Sequence, residues 1–397
     1  VEALLDDRPN PLAGKKISVQ APEHKSLHVP ITVPFEGEAP TGVVRAILDG
    51  VGKAAPVSIR NGELTFVPEG AMPGVATSYT LETSPAEGAP APRVRIEKQA
   101  DQNILDVFID DVHFTSYHYD NDKWRKPFLW PVHARGGVPV TRSYPMDPEG
   151  LPQDHIHHKS LWTAHGNVNG VDLWGEGQNA GYQHSDEVTF GSGDAYGWIH
   201  AKNVWQDKDR KPVITEVREY RFYATPETGR LIDVDVTFTA DHGDATFGDT
   251  KEGGLVAWRM RPELSKEAAV ITIVGGEQGE DKVWGKPSPW CDYSGELPGE
   301  GFMGIAVFDH PNNLRHPTSW HARAYGLNGA NCFGYTNFRE KEYNQPLLPE
   351  NGDYLLKAGE TLPFKYRVFV HNGDYQEAAV ADRYADFAQT PKATWVE

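Results

Sequence analysis

Residues 154–166, DHIHHKSLWTAHG, carry four histidines, an aspartate, a lysine and a tryptophan in thirteen positions. Neutral imidazole is a metal ligand and a proton shuttle, and it both donates to and accepts from sugar hydroxyls. The cluster therefore points to a metal centre, to a site for a polyhydroxylated ligand, or to loop histidines that only satisfy backbone groups. Nine of the 16 histidines lie between His113 and His200, so the enrichment extends beyond the motif. In an extended DHIHH, His155 and His157 point one way and His158 the other. Two imidazoles on one face make half of a zinc, copper or iron site. The specific metal spacings fail, however. Trp162 stands where a cupin HxH motif needs glutamate, there is no HExxH, and residue 1 is Val rather than the histidine of a copper brace. Catalysis without a transition metal or other cofactor is expected, with room for a structural calcium held through Asp side chains.

A second set of chemical residues follows. FGDTKEGGLVAWR (247–259) places Asp249, Lys251 and Glu252 before a glycine pair and a strand, and VFDHPNNLRHPTSWHARAYG (307–326) is dense in aromatic, cationic and imidazole groups. Glu252 is the expected acid/base carboxylate, because Gly253 and Gly254 permit close approach by ligand or backbone. His158, Asp309 and His310 are its expected catalytic company. Arg142, His155, His165, Lys251, Arg315, His321 and Tyr325 are candidates for binding hydroxyls and developing charge. Trp162, Trp174 and Trp320 offer flat apolar surfaces to sugar rings. The two clusters are predicted to face one another across one pocket, with His155, His158 and His165 on one wall and Glu252, His310 and Arg315 on the other.

Such residues need rigid elements to hold them, and the elements read as strands. The first hundred residues lack tryptophan, although the chain has 11, and contain short runs such as KKISVQ, HVPITVPF and VSIRNGELTFVPEG. Asn-Gly within the last is a hairpin signal, since both turn residues tolerate positive φ. Residues 1–86 are expected to form a small β-sandwich of immunoglobulin type, with a Pro/Ala/Gly-rich linker at 87–92. Residues 93–397 are expected to form one large antiparallel β-sandwich. RLIDVDVTFTAD puts Ile232, Val234, Val236 and Phe238 on one face and should pair with VREYRFYA. Only 374–389 reads as a helix, from Val380, Tyr384, Phe387 and Ala388. The expected class is all-β.

Composition limits the partners. A formal charge of −18 disfavours nucleic acid, because phosphate binding rests on Lys/Arg neutralisation. No apolar run is long enough for a membrane-spanning helix. Cys291 and Cys332 leave pairing open, and the sequence is silent on oligomeric state. Val1 opens no signal peptide, so the chain is either cytosolic or a mature exported form.

The motifs FLWPVHARGGVPVTRSYPMD, DHIHHKSLWTAHGNVNGVDLW, GDTKEGG, FDHPNNLRHPTSWHARAYG and FKYRVFVHNGD, in that order, resemble the family catalogued as methane oxygenase PmoA-like. The resemblance covers residue 93 to the C-terminal helix. It implies an exported bacterial protein associated with polysaccharide degradation, and a fold similar to the galactose-mutarotase-like β-supersandwich. Methane chemistry does not follow, because the membrane monooxygenase subunit is built of apolar spanning helices. Where the family pattern has DHPHHRSLW this chain has Ile156 and Lys159; the lysine keeps the charge and loses the bidentate fork of arginine. The reading this favours is a carbohydrate-active enzyme, a glycoside hydrolase first. A polysaccharide lyase using Tyr325, His321, Arg323 and Arg315, a sugar epimerase, and a non-catalytic glycan-binding protein are the alternatives.

Overall fold

Alternation of apolar and polar side chains, rather than a helical period, sets nearly every element. The computed structural model describes residues 10–396 except 25, 38, 39, 41, 72, 73, 150 and 340–347. In the strand Gly229–Thr239, Ile232, Val234, Val236 and Phe238 enter the core as their spacing predicts. That strand pairs antiparallel with Pro212–Tyr223, opposing Val234 to Tyr220. Asn61 and Gly62, at φ 53° and 75°, turn the hairpin between Ala54–Arg60 and Glu63–Phe66.

Two large sheets face each other. A seven-stranded sheet runs from Leu327–Gly329 through Gly253–Arg259, Leu161–His165, Phe128–Val132, Val112–His118 and Ile104–Ile109 to Val94–Lys98. An eight-stranded sheet has Gly229–Thr239 and Thr361–Asn372 at its centre. Leu129, Leu161 and Trp258 from the first sheet meet Ile199, Val234 and Val368 from the second in one continuous core. The chain is thus all-β with a large antiparallel sandwich and a C-terminal helix, as expected. Among the described residues no helix is long and apolar enough to cross a membrane, and Cys291 and Cys332 are both free and buried.

The N-terminal sheet, which also has seven strands, packs Ile17, Val33, Leu64, Phe66 and Leu81 around its own small core. It docks on the outer face of the eight-stranded sheet. There Arg60 forks onto Glu219 with two hydrogen bonds of 3.0 Å and lies 3.8 Å over the Trp198 ring. Residues 392–396, which the sequence reading gave to the large sandwich, instead pair with Lys16–Gln20 as the edge strand of the small sheet. The reason is a short alternation: Ala393 and Trp395 share a face against the small core, and the Trp395 indole donates to the Pro34 carbonyl at 2.7 Å.

The C-terminal helix is Val380–Ala388, shorter than the expected 374–389. Ala379 sits at φ 52°, outside helical space, and the Asp374 carboxylate accepts the amides of Gln376 and Glu377 at 2.8 and 2.9 Å. That side-chain turn competes successfully with the first helical turn. The helix covers the same outer face through Val380 and Phe387.

Candidate functional site

The other face of the seven-stranded sheet carries the chemistry. Strands Leu161–His165 and Gly253–Arg259 pair there, and Trp162, Ala164 and Ala257 point outward with Phe128, Trp174 and Leu327 to make an apolar, aromatic floor. The loop 154–160 lies over this floor. It is tightened by the His158 amide donating to the His155 carbonyl at 3.0 Å, with His155 itself at φ 47°. Four rings stack in series as a result. Tyr325 lies 5.2 Å from His155, His155 lies 4.8 Å from His158, and His158 lies 5.4 Å from Trp162, all within 20° of parallel. Trp174 closes the stack edge-on to His158 at 5.8 Å.

Above the floor is a cavity of about 460 Å³. His155, His157 and His158 form one wall, with Asp172 and Trp174 beside them. Lys251, Glu252, His321, Arg323 and Tyr325 complete the lining, Tyr325 against His155 and His321 against Trp174. Glu252 is placed by its strand neighbour, since the Gly166 amide donates to the Glu252 carbonyl at 2.6 Å. Gly166 has no alternative: a Cβ there would lie 2.7 Å from that carbonyl oxygen and 2.9 Å from the Glu252 Cβ.

The wall groups perturb one another. Burial raises the Glu252 carboxyl above its ordinary value, against the opposing pull of Lys251, whose ammonium is 3.9 Å away. Asp172 adds to the rise. Its own Oδ1 accepts the amides of Trp174 and Gly175 at 3.0 and 2.8 Å. Burial and the neighbouring cations push His157 and His321 down to about 3, and His158 is lowered well below the usual imidazole range for the same reasons. Arg259 donates to Nδ1 of His158 at 3.1 Å. Because guanidinium has no acceptor, Nδ1 must accept, and neutral His158 carries its proton on Nε2. Asp154 lies 3.0 Å from Nδ1 of His155 and accepts from Arg142 at 2.5 Å. The pair Asp154–His155 therefore has the geometry in which a carboxylate orients an imidazole. Among the described residues no three His, Cys, Asp or Glu side chains converge as a metal site would require.

Of the residues singled out from sequence, the structure brings His155, His158, Trp174, Lys251, Glu252, His321 and Tyr325 to one cavity. Trp162 lies beneath it, and Arg142 is buried behind it on Asp154. Five lie elsewhere. His165 alternates with Ala164 and so turns into the sandwich, where its Nε2 meets the Gly248 carbonyl at 2.9 Å and its ring packs on Phe247 and Phe333. Trp320 is in the core, donating to the Ser288 carbonyl. Asp309 is fully buried and spends its oxygens on His316, Asn313 and the Thr318 amide. His310 packs against Phe387 of the C-terminal helix. Arg315 donates to the carbonyls of Cys332, Gly352 and Asp353. The predicted second wall thus keeps Glu252 and loses His310 and Arg315. Asp309, His310 and Arg315 stiffen the turn after strand Gly301–Asp309 instead.

The sequence reading gave no role to Asp172 or Arg259. Asp172 lies inside the motif that holds the histidines, HGNVNGVDLW, and an acid that close to the cluster was a usable signal. Arg259 ends a strand that reads as pure core, so nothing in its spacing marked it.

The sequence pattern described as "Family of unknown function (DUF6807)" matches residues 105–385. No curated protein matches the chain. Among solved structures, an alpha-mannosidase from Enterococcus faecalis V583 is similar at 10% identity and TM-score 0.46. The match covers 97% of this chain, which spans 46% of that enzyme's length. A protein assigned as an aldose 1-epimerase from Escherichia coli K12 is similar at 15% identity and TM-score 0.32, over 70% of this chain and 100% of the other. At such identity and TM-score neither match assigns a chemistry to the chain.

Proposed function

We propose that this chain, which belongs to the DUF6807 family, is a carbohydrate-active enzyme that cleaves a glycosidic bond in the cavity between His155 and Glu252. The observation that carries this reading is the presence of two carboxylates of different character, Glu252 and Asp172, on the walls of one pocket with an aromatic floor. Hydrolysis of an acetal needs one carboxylic acid to protonate the leaving oxygen and one carboxylate to support the developing positive charge or activate water. Glu252, with its proton held more tightly by burial, takes the first role. Asp172, whose Oδ1 is fixed by two amides, takes the second. Neutral imidazoles at His157, His158 and His321 exchange hydrogen bonds with hydroxyls, and Tyr325 and Trp174 flank the sugar face.

One contact favours a second reading. The Asp154–His155 pair at 3.0 Å, opposite Glu252, is also what an epimerase or lyase needs to move a proton on and off carbon. Incubating the purified protein with a panel of polysaccharides and reading the products by mass spectrometry separates the cases. Uptake of water means hydrolysis, an unsaturated product means elimination, and solvent deuterium at a ring carbon without cleavage means epimerisation. Absence of all three across a broad panel would defeat the enzymatic reading.

A further inference from the structure

Two pairs of cations stand behind the walls of the pocket, and each pair shares a single carboxylate. Arg142 and Arg259, both buried, meet Asp154 at 2.5 and 3.8 Å. Lys126 and Lys159, also buried, meet Glu176 at 3.4 and 3.0 Å. Both pairs touch the pocket lining: Arg259 donates to His158, and Lys126 donates to the Trp174 carbonyl at 2.6 Å. Nearer the opening the charges balance, Lys251 against Glu252 at 3.9 Å and Arg323 against Glu280 at 2.8 Å. Asp172 offsets one of the two surplus charges, so among the described residues the four buried cations outnumber Asp154, Glu176 and Asp172 with every carboxylate ionised.

A buried charge without a counter-charge is costly, and a low-dielectric cleft focuses its field on whatever enters. The chain as a whole carries −18, so this positive site is set against a strongly negative surface. Lys251 is the accessible end of the arrangement: its side chain is 39% exposed, and its ammonium comes no nearer than 3.9 Å to its carboxylate.

We propose that the substrate of this pocket is an anionic glycan, a sugar bearing a carboxylate or a sulfate, whose negative group lies against Lys251 and is held by the surplus cations behind the walls. The inference rests on the carbohydrate reading above and adds the substrate's charge to it. A uronate and a sulfate ester share the chemistry that these cations recognise, and matched ligands separate them.

The test is calorimetric titration of the whole protein with uronate-containing oligosaccharides and their methyl esters, and with sulfated oligosaccharides and their desulfated forms. One anionic form should bind at least about tenfold more tightly than its neutral counterpart, and the gap should narrow as salt shortens the screening length. Lys251→Met alters a partly exposed side chain, and Lys159→Met leaves Lys126 and Glu176 as a balanced pair. Each should reduce the anionic preference, read as the ratio of anionic to neutral affinity, by at least about threefold, as expected for the loss of one nearby charge. Neutral forms binding as tightly as both anionic forms would overturn the proposal, as would a preference that survives both substitutions. Cleavage of neutral glycans alone would overturn this inference and leave the hydrolase reading standing. Failure to bind or process any glycan would remove both.

Discussion

Glu252 is where a single atom decides most. Glu252→Gln keeps the size and the hydrogen-bonding capacity but has no acidic proton, so turnover should fall by at least about a hundredfold while glycan binding persists. The sign of the pH dependence follows from the raised carboxyl. A general acid works while protonated, so wild-type turnover should decline as pH rises through that raised value, and the alkaline limb should vanish in the variant. Turnover of the glutamine form within a few fold of wild type would remove Glu252 from the mechanism. His310→Ala serves as the counterpart. Its ring lies on the C-terminal helix rather than in the cavity, so turnover should stay within about twofold, the usual outcome for a change outside the reacting site. A large loss there would mean that the pocket described is not the working one. Residue type and density in the sequence singled out His155, His158, Lys251, Glu252, His321 and Tyr325, which the fold gathers around one cavity. They misassigned Asp309, His310 and Arg315 because a loop that satisfies its own carbonyls and carboxylates uses the same polar residues as a binding site. Sequence spacing does not tell the two uses apart.

At the level of elements, the site depends on how closely two strands approach. Gly166 follows Leu161–His165 and receives the backbone of Glu252, ahead of Gly253–Arg259, without room for a methyl group. Gly166→Ala should therefore displace Glu252 and lower turnover by at least about tenfold, since a shift of order 1 Å at a reacting group is expensive. The circular dichroism spectrum should keep its all-β form. Unchanged turnover in a well-folded Gly166→Ala protein would show that the Glu252 position tolerates backbone movement. Strand identity was legible because alternation is a local property, as in Gly229–Thr239. Side-chain direction at His165 was not, because alternation sets it opposite Trp162 and Ala164, and only the folded sheet shows that those two face the cavity floor and not the sandwich core. The early end of the C-terminal helix was lost to a similar local competitor, the Asp374 side chain.

Across the molecule, buried imidazole sets the response to acid. His118 and His165 are held down to about 4 and His321 to about 3, chiefly by burial. A histidine whose folded value is lowered stabilises the fold fully above its unfolded value, near 6.5, and loses that contribution as pH falls toward the folded value. Stability should therefore drop between about pH 6.5 and 4, above the range where most carboxylates titrate. Urea midpoints measured at pH 7.5, 6 and 5 check this; a flat series would mean that these rings protonate without unfolding. Histidine count was visible in the sequence, but burial was not, since it depends on which sheet face each ring meets.

The pairing of Lys392–Val396 with Lys16–Gln20 also has a consequence in time. During synthesis most of the N-terminal sheet emerges early, but its edge beside Lys16–Gln20 is completed by a segment that follows the whole large sandwich in the chain. Until then that strand presents open amides and carbonyls to any chain nearby, including a second nascent copy. The large sandwich can form and receive the docked small one in the interval, through Arg60 and Glu219. Closing the edge is then a late step, and it fastens together two strands that flank the large sandwich in sequence.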